Sequence, residues 1–270
     1  MGTLIRNGIL FAAAIVACFW IPIQAQKTKK PTKPPGAAEV SVTPEPTPIL
    51  KKNARPVNDS SSSTKLDPIA SDADYRYEFE HPRFIIANIV ILHDENGRGS
   101  ISFKKDGLDD AISDPLQVSS AALERIKDAL TALNFVNSVE NYQYQKDYSH
   151  LGNVAITVRT GDKSRTAKYN WTENKHARIL AEEYRKLGNQ YIWMFDVSVA
   201  RENQPLETPK LMRGLESLIR RNEVSDPGQM LPFLQLLSDD ERMPLIARNQ
   251  AKKLINRIEK LNKQDERRVN

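Results

Sequence analysis

The residues able to do acid–base or metal chemistry are few, and they are scattered along the chain. Four histidines are present, and no two of them have the H-x-H, H-x-x-H or H-E-x-x-H spacing that places two imidazoles on one metal ion. The densest cluster is His93-Asp94-Glu95, at the tip of a predicted hairpin that His150 would have to approach. A solvated turn is the favoured interpretation of a polar cluster without a motif.

A second group of candidate ligands consists of the aspartates 106, 109, 110 and 114. Their oxygens suit calcium, but the group lacks the alternating D-x-D-x-D-G spacing and the distal Glu of an EF-type loop. We interpret Asp106, Asp109, Asp110 and Asp114 as part of an exposed polar loop. The sequence therefore predicts no metal site.

Motifs for nucleophilic catalysis and nucleotide binding are also missing. The chain has no G-x-S-x-G elbow, no S-x-x-K in a suitable context, no G-x-x-x-x-G-K-[ST] loop and no G-x-G-x-x-G turn. We therefore predict a protein that is not an enzyme and has no catalytic residues and no cofactor. The alternative is a secreted hydrolase or enzyme inhibitor whose site is assembled from non-adjacent residues, joining His93, His150 and the acidic loop.

Three tyrosines are concentrated in one segment, at positions 142, 144 and 148. Tyrosines on an exposed loop make economical contacts with a partner, because the ring is rigid and amphipathic. Packing of Tyr142, Tyr144 and Tyr148 over the edge of a sheet is an equally good interpretation.

The N-terminus has the composition of an export signal. Arg6 forms a charged start, an apolar run extends over 8–23, and small residues follow at the exit. Cleavage between Ala25 and Gln26 fits best. It competes with lipidation at Cys18, which ends the order Ile, Val, Ala, Cys of a lipoprotein box, and with an uncleaved anchor. The apolar run is shorter than the ~20 residues that span a bilayer.

Residues 26–70 are predicted to form a disordered linker. They hold eight of the 16 prolines and a serine-rich tract, and they carry eight basic against four acidic side chains. Such a segment is semi-extended and holds a domain away from a surface. The lone cysteine belongs to the signal, so a cleaved chain has no disulfide and depends on an ordinary apolar core.

The formal charge of +5 arises almost entirely before residue 71, because 71–270 sum to zero. Nucleic-acid binding needs a concentrated positive face, usually with aromatic platforms. The sequence therefore predicts no nucleic-acid partner.

Alternation of apolar residues predicts a strand at Tyr75–Glu80 and a hairpin that pairs 84–92 with 99–104 across Asn96-Gly97. A polar loop containing Pro115 follows, and then a helix capped by Ser119 or Ser120. A second hairpin pairs 154–158 with 167–171, and a second helix begins near Thr172. The expected fold is α+β, with two β-hairpins forming an antiparallel sheet packed on two helices.

The stretch 188–201 has both a strand pattern and a helical pattern, and we favour continuation of the second helix. After it, 206–270 form a helical C-terminal region. Its first helix is capped by Thr208, a second runs from Ser225 through Leu237, and a capping box lies at 238–241. One hypothesis makes this region a docking module that presents Leu254, Ile258 and Leu261 to a partner.

The run from Gly97 to Leu187 resembles a recurring bacterial secreted α+β domain of hairpin–helix–hairpin–helix order. The similarity rests on the Asn96-Gly97 turn, the Ser119 cap, the helix exit at 133–135 and the strand pair before the closing helix. It covers about a third of the chain and is a likeness of element order. No activity is assigned to such domains, so the resemblance implies no functional residue.

Together these features predict a signal peptide at 1–25, a linker at 26–70, an α+β domain at 71–205 and a helical region at 206–270. The expected location is extracytoplasmic, that is periplasmic, secreted or tethered to the outer membrane. The expected role is a binding or structural module of the bacterial envelope. Its partner would be a protein or an envelope component, and it would meet the membrane only through its N-terminal segment.

Overall fold

The computed structural model describes residues 74–106 and 110–269. The proposed signal, with Cys18, Ala25 and Gln26, lies outside the described residues, as do the linker and Asp109. The strands are β1 (Tyr75–Glu80), β2 (Ile86–His93), β3 (Arg98–Lys105), β4 (Ile112–Gln117), β5 (Asn153–Thr160) and β6 (Lys163–Tyr169). The helices are α1 (Ser120–Ala132), α2 (Lys175–Asn203), α3 (Thr208–Arg220), α4 (Leu231–Asp239) and α5 (Leu245–Val269).

The described part of the chain has a mixed α/β architecture. Its strands form one antiparallel sheet in the order β4-β3-β2-β1-β5-β6. In place of two adjacent hairpins, β1 lies between the β2–β3 pair and the β5–β6 pair. The turn before β3 uses the Asp94 carboxylate, which accepts hydrogen bonds from the backbone N–H groups of Asn96 and Arg98 at 2.8 Å each. Gly97 has a φ of +78° there, a conformation that favours glycine.

The strand β4 was missed, because the sequence around Asp114-Pro115 predicted only a loop. It is an edge strand that pairs with β3 alone, with Pro115 opposite Ser100. Proline cannot donate to a ladder, and an edge strand is the place where that donor is not needed. A proline inside a short polar stretch was therefore a poor reason to exclude a strand.

The first core contains alternate strand residues, among them Tyr77, Ile91 and Ile156, together with Ile126 of α1 and Leu180 of α2. Buried side chains of the sheet and of both helices thus belong to one cluster.

The starts of the two helices follow from short polar side chains. Ser119 caps α1 as predicted, because its Oγ accepts a hydrogen bond from the Ala122 N–H at 3.2 Å. The helix α2 begins at Lys175, a few residues beyond the start predicted near Thr172, and its cap is Asn174. Its Oδ1 accepts from the N–H groups of His176 and Ala177.

The continuation of α2 through Gly188 is confirmed, since this helix extends without a break to Asn203. Gly188 is buried, and a Cβ placed on it would lie 3.7 Å from the Ile89 side chain. The glycine therefore faces Ile89 of β2, and it does not end the helix.

A second core begins within α2, at Trp193 and Val197, and is completed by apolar residues of α3, α4 and α5. Leu254 and Ile258 are buried in it, so they are not available on the surface as the docking hypothesis requires. Leu261 is partly exposed. None of the described helices is both long enough and apolar enough to span a membrane.

Three details of this helical region differ from the prediction. Thr208 is the first residue of α3, and its hydroxyl donates to the Pro205 carbonyl at 2.6 Å instead of capping the helix. The helix predicted from Ser225 begins only at Leu231, after a short 3-10 turn. Ser238 is buried inside α4 and bonds back to the Gln235 carbonyl, so the capping box at 238–241 is not formed.

Candidate ligand groove

His93, the central residue of the predicted cluster, is buried at the end of β2 with both ring nitrogens engaged. Its Nδ1–H donates to the Asp94 carbonyl at 2.8 Å, which leaves Nε2 to accept from the Tyr184 hydroxyl at 2.9 Å. The ring also stacks on Tyr75, with 4.6 Å between the centroids. Burial lowers the pKa of His93. The imidazole is a neutral, fully bonded core group.

His150 does not approach His93 but lies beside His81, beyond the other end of β1. The His81 Nε2–H donates to the His150 carbonyl at 3.1 Å, and its Nδ1 accepts from the Arg83 N–H at 3.2 Å. His93 pairs with Tyr75 at the start of β1, and that strand of six residues is about 20 Å long. The hypothetical site joining His93, His150 and the acidic loop is therefore not assembled.

Of the four aspartates considered as calcium ligands, Asp109 lies outside the described residues. Asp106 and Asp110 are exposed. Asp114 lies in β4 opposite Ile101, and partial burial raises the pKa of its carboxyl. Within 74–106 and 110–269, no three or more His, Cys, Asp or Glu side chains are grouped so that they could hold a metal ion.

Tyr142 is buried in the first core, and its hydroxyl lies 3.0 Å from an Arg165 nitrogen that donates to it. The Arg165 guanidinium also lies over the rings of Phe135 and Tyr142, at 4.8 and 4.9 Å from their centroids. This residue therefore packs in the domain.

Tyr144 and Tyr148 are half-buried beside Trp171, with centroid distances of 4.6 and 5.5 Å to that ring. The three tyrosines thus follow the packing interpretation and leave no free aromatic loop.

A large apolar depression lies between α2 and the end of the sheet where β1 finishes. Its volume is about 700 Å³, within the ~300–1,000 Å³ range of small-molecule sites. Ten of its 14 lining residues are apolar or aromatic. We call it the α2 groove; it is lined by Tyr77, Phe79, Arg83, Phe84, Ile85, Ile86, Ile89, Leu151, Arg185, Asn189, Ile192, Trp193, Asp196 and Leu218.

Apolar side chains form both the floor and the rim of this groove. Phe84 is 43% exposed, Ile85 78% and Leu151 45%. Trp193 contributes a buried ring whose Nε1–H donates to the Leu211 carbonyl at 2.8 Å, so that the ring carries no free donor. The groove therefore offers an apolar surface with few polar requirements.

His81 fixes the two loops that carry the exposed rim. Its ring stacks on Phe84, with 3.7 Å between the centroids, and the hydrogen bond to the His150 carbonyl connects the β1–β2 loop to the turn at 149–151. Because that turn carries Leu151, His81 connects the Phe84 side of the rim to the Leu151 side, and both of its ring nitrogens are used within the protein.

Gly152 allows the same turn to lie against the floor of the groove. A Cβ on this residue would stand 2.3 Å from Phe79 Cε2, and its φ is +93°. Only glycine fits such a close approach in that conformation.

A smaller cavity of about 310 Å³ adjoins the α2 groove and shares Tyr77, Phe79, Leu151 and Arg185 with it. It adds Trp171, Arg178 and Glu182 to the lining, and so extends the depression along α2.

Charged side chains stand at defined positions around the apolar lining. Burial raises the pKa of Tyr77 on the groove floor, and the positive charge of Arg185 opposes part of that rise. Asp196 is bonded to Lys105 of β3. Arg83 is exposed on the β1–β2 loop.

Sequence reasoning missed this groove, because its residues come from five separated stretches of chain. One signal was present: the apolar run at 84–92 was predicted as a strand from Phe84, whereas β2 begins at Ile86. The two extra apolar residues after Pro82 are those now exposed on the rim. No protein-family model matches this chain, and a search of curated proteins found no match either.

Proposed function

We propose that this chain is an extracytoplasmic binding protein of the bacterial envelope, which holds an apolar ligand in the α2 groove without catalysing a reaction. The N-terminal pattern of Arg6, an apolar run and a small-residue exit supports the location. The net charge of zero over 71–270 argues against nucleic acid as the partner.

The observation that carries the proposal is the exposed apolar rim around an apolar cavity. Single exposed apolar residues are normal, but a group that surrounds a concave apolar surface is typical of a ligand site. Phe84, Ile85 and Leu151 would each lose contact with water if a ligand filled the groove. Burial of apolar area supplies the driving force, at about 25 cal/mol per Å².

Two further features support a role in binding. His81 and His93 have both ring nitrogens engaged within the protein, so neither offers a free general base. The arrangement of a sheet with two overlying helices, which we propose as the rigid frame, would keep the groove open in the absence of ligand.

The linker and signal give the proposal its cellular setting. Cleavage after Ala25 would release the protein, and lipidation at Cys18 or retention of the apolar run would tether it to a membrane through 26–70. Intact-mass measurement of soluble and membrane fractions distinguishes a chain starting at Gln26, an acylated chain starting at Cys18 and an uncut chain. Recovery of only the uncut chain in the cytoplasm would contradict the proposed location.

The groove is tested by titrating the full chain, labelled at isoleucine methyl groups, with dodecanol below its solubility limit. We expect the NMR signals of Ile85, Ile86 and Ile192 to shift, because these residues line the groove. Ile258 is buried in the second core and is expected not to respond.

A variant that fills the groove provides the control. Ile192→Trp is expected to abolish the ligand-induced shifts of the Ile85 and Ile86 methyl signals, whereas Ile246→Trp, at an exposed position on α5, is expected to leave them unchanged. Unchanged groove signals in the wild type at saturating dodecanol would contradict the proposal.

A further inference from the structure

The α2 groove differs in charge between its two ends, and this difference indicates the kind of ligand that it takes. This inference rests on the function proposed above. Arg185 and Asp196 both lie on α2 and both line the groove. Eleven residues separate them, which places them about 16 Å apart along the helix axis.

The Asp196 end carries no net charge. The Lys105 ammonium bonds to the Asp196 carboxylate and lies 5.7 Å from the centroid of the Phe195 ring. The two opposite charges neutralise each other, so this end does not favour a charged group on the ligand.

The other charged side chains of the lining are the guanidinium groups of Arg185 and Arg83, and their positive charge is in excess. The nearest carboxylate to Arg185 is that of Glu223, at 3.9 Å, and Glu223 is bonded more closely to Arg221, at 2.9 Å. Arg83 has no carboxylate within 4.0 Å among the described residues. Two guanidinium groups therefore border one apolar cavity with weak compensation or none.

We propose that the α2 groove binds a single-chain amphiphile with an oxyanion head group, which pairs with the guanidinium groups that line the groove, those of Arg83 and Arg185. The apolar chain would lie along Asn189 and Ile192 against the Trp193 ring. A guanidinium forms two parallel hydrogen bonds to a carboxylate or a phosphate, and its pairing is strongest beside a surface that excludes water. Fatty-acid-type carboxylates and lipid-type phosphates share this chemistry.

The experiment compares four ligands with the same chain on the full-length protein: dodecanoate, dodecyl phosphate, dodecanol and dodecyltrimethylammonium. Each is titrated below its micelle concentration, and binding is followed by the methyl signals of Ile86 and Ile192. These signals report the groove alone, so any binding to the N-terminal apolar run does not enter the comparison. We expect at least one oxyanion to bind about tenfold more tightly than dodecanol, and the cation to bind least.

The charge dependence is assigned to the groove with matched arginine variants. Arg83→Gln combined with Arg185→Gln is expected to bring the oxyanion affinity down to that of dodecanol while leaving dodecanol binding unchanged. Arg213→Gln, at an exposed position on α3, is expected to keep the wild-type preference. Circular dichroism of each variant confirms that it is folded.

The outcomes separate the two proposals. Equal affinity for the oxyanions, the alcohol and the cation, or an oxyanion preference that survives the double substitution, would overturn the inference about the head group and leave the apolar groove standing. Absence of methyl shifts with all four ligands would overturn the head-group inference and the proposed function together. A preference for one oxyanion over the other decides between a carboxylate and a phosphate head.

Discussion

Among individual residues, His93 shows how burial converts a chemically versatile side chain into a structural one. Its Nδ1–H is held by a backbone carbonyl and its Nε2 by Tyr184, a buried tyrosine whose own pKa is raised well above its ordinary value by burial. Protonation of His93 would place an Nε2–H against the Tyr184 hydroxyl and a charge in the core. The folded protein therefore favours the neutral imidazole.

This state predicts that acid weakens the fold through His93. Its folded pKa lies below the ordinary value of 6.5, so the unfolded chain binds a proton that the folded chain does not bind as the pH falls below 6.5. The free energy of unfolding should therefore decline between pH 6.5 and the lowered folded pKa, and the contribution should be complete above pH 6.5. Urea denaturation from pH 5 to pH 8 measures this decline.

His93→Gln should show a flatter decline over the same range, because the side chain that replaces histidine does not titrate. The comparison uses the pH dependence, so the loss of stability caused by the substitution itself does not matter. Parallel curves for the wild type and the variant would refute the assignment.

Gly152 is a second residue whose type is required by its surroundings. Gly152→Ala should lower the free energy of unfolding by about 2–4 kcal/mol, since the new methyl group meets the Phe79 ring at 2.3 Å in a backbone conformation unfavourable to alanine. Thermal or urea unfolding measures the loss. Gly161→Ala is the matched control: its φ is +57°, no atom lies within 4 Å of the added Cβ, and we expect it to cost only about 1 kcal/mol. Equal losses would show that the contact with Phe79 is unimportant.

At the scale of elements, α2 unites the described part of the molecule, because it supplies residues to both cores and one wall of the groove. Gly188 is the weakest position within it, as glycine in a helix interior costs about 0.5–1 kcal/mol relative to alanine. The Cβ of an alanine would meet Ile89 at 3.7 Å, an ordinary van der Waals distance.

Gly188→Ala should therefore raise the free energy of unfolding by about 0.5–1 kcal/mol. Gly214→Ala on α3 provides the reference, since its added Cβ meets nothing within 4 Å and reports helix propensity alone. Urea midpoints of the two variants and the wild type make the comparison. A loss of stability at 188 with a gain at 214 would mean that the helix and β2 require the closer approach.

The same elements show what local sequence patterns can and cannot predict. The persistence of a helical stripe across Gly188 and the capping role of Ser119 are local properties, and both predictions are confirmed. The strand at Pro115 was not predicted, and the caps predicted at Thr208 and Ser238 are not formed. The reason is that pairing at a sheet edge and burial of a hydroxyl depend on distant residues. The groove depends on distant residues even more strongly.

At the scale of the whole described molecule, a half-buried ion pair connects the first core to the loop that leads into the second. Arg125 of α1 donates to the two Glu183 carboxylate oxygens at 2.7 and 3.1 Å and to the Ser225 carbonyl at 2.9 Å. The Ser225 hydroxyl also donates to Glu183, at 2.6 Å. Further bonds reinforce the connection, as Gln229 donates to the Gln117 carbonyl at 2.7 Å.

This arrangement predicts unequal consequences for removing the two partners. The Glu183 side chain is 5% exposed and that of Arg125 is 42% exposed. Arg125→Gln leaves a buried carboxylate with only Ser225 as a charge-stabilising neighbour, and it should cost about 3 kcal/mol. Glu183→Gln leaves a guanidinium that water can reach, and it should cost about 1–2 kcal/mol.

Unfolding followed separately in the two cores tests both the cost and the connection. Methyl signals of Ile219 and Ile258 report the second core, and those of Ile126 and Ile156 report the first. The wild type should give coincident transitions, because the shared α2 and the Arg125–Glu183–Ser225 bonds make opening of one core expose the other. In Arg125→Gln the second core should open at lower urea than the first, whereas Arg213→Gln should leave the transitions coincident.

A larger loss of stability in Glu183→Gln than in Arg125→Gln would contradict the electrostatic account, since it would mean that the exposed guanidinium, and not the buried carboxylate, depends on the pair.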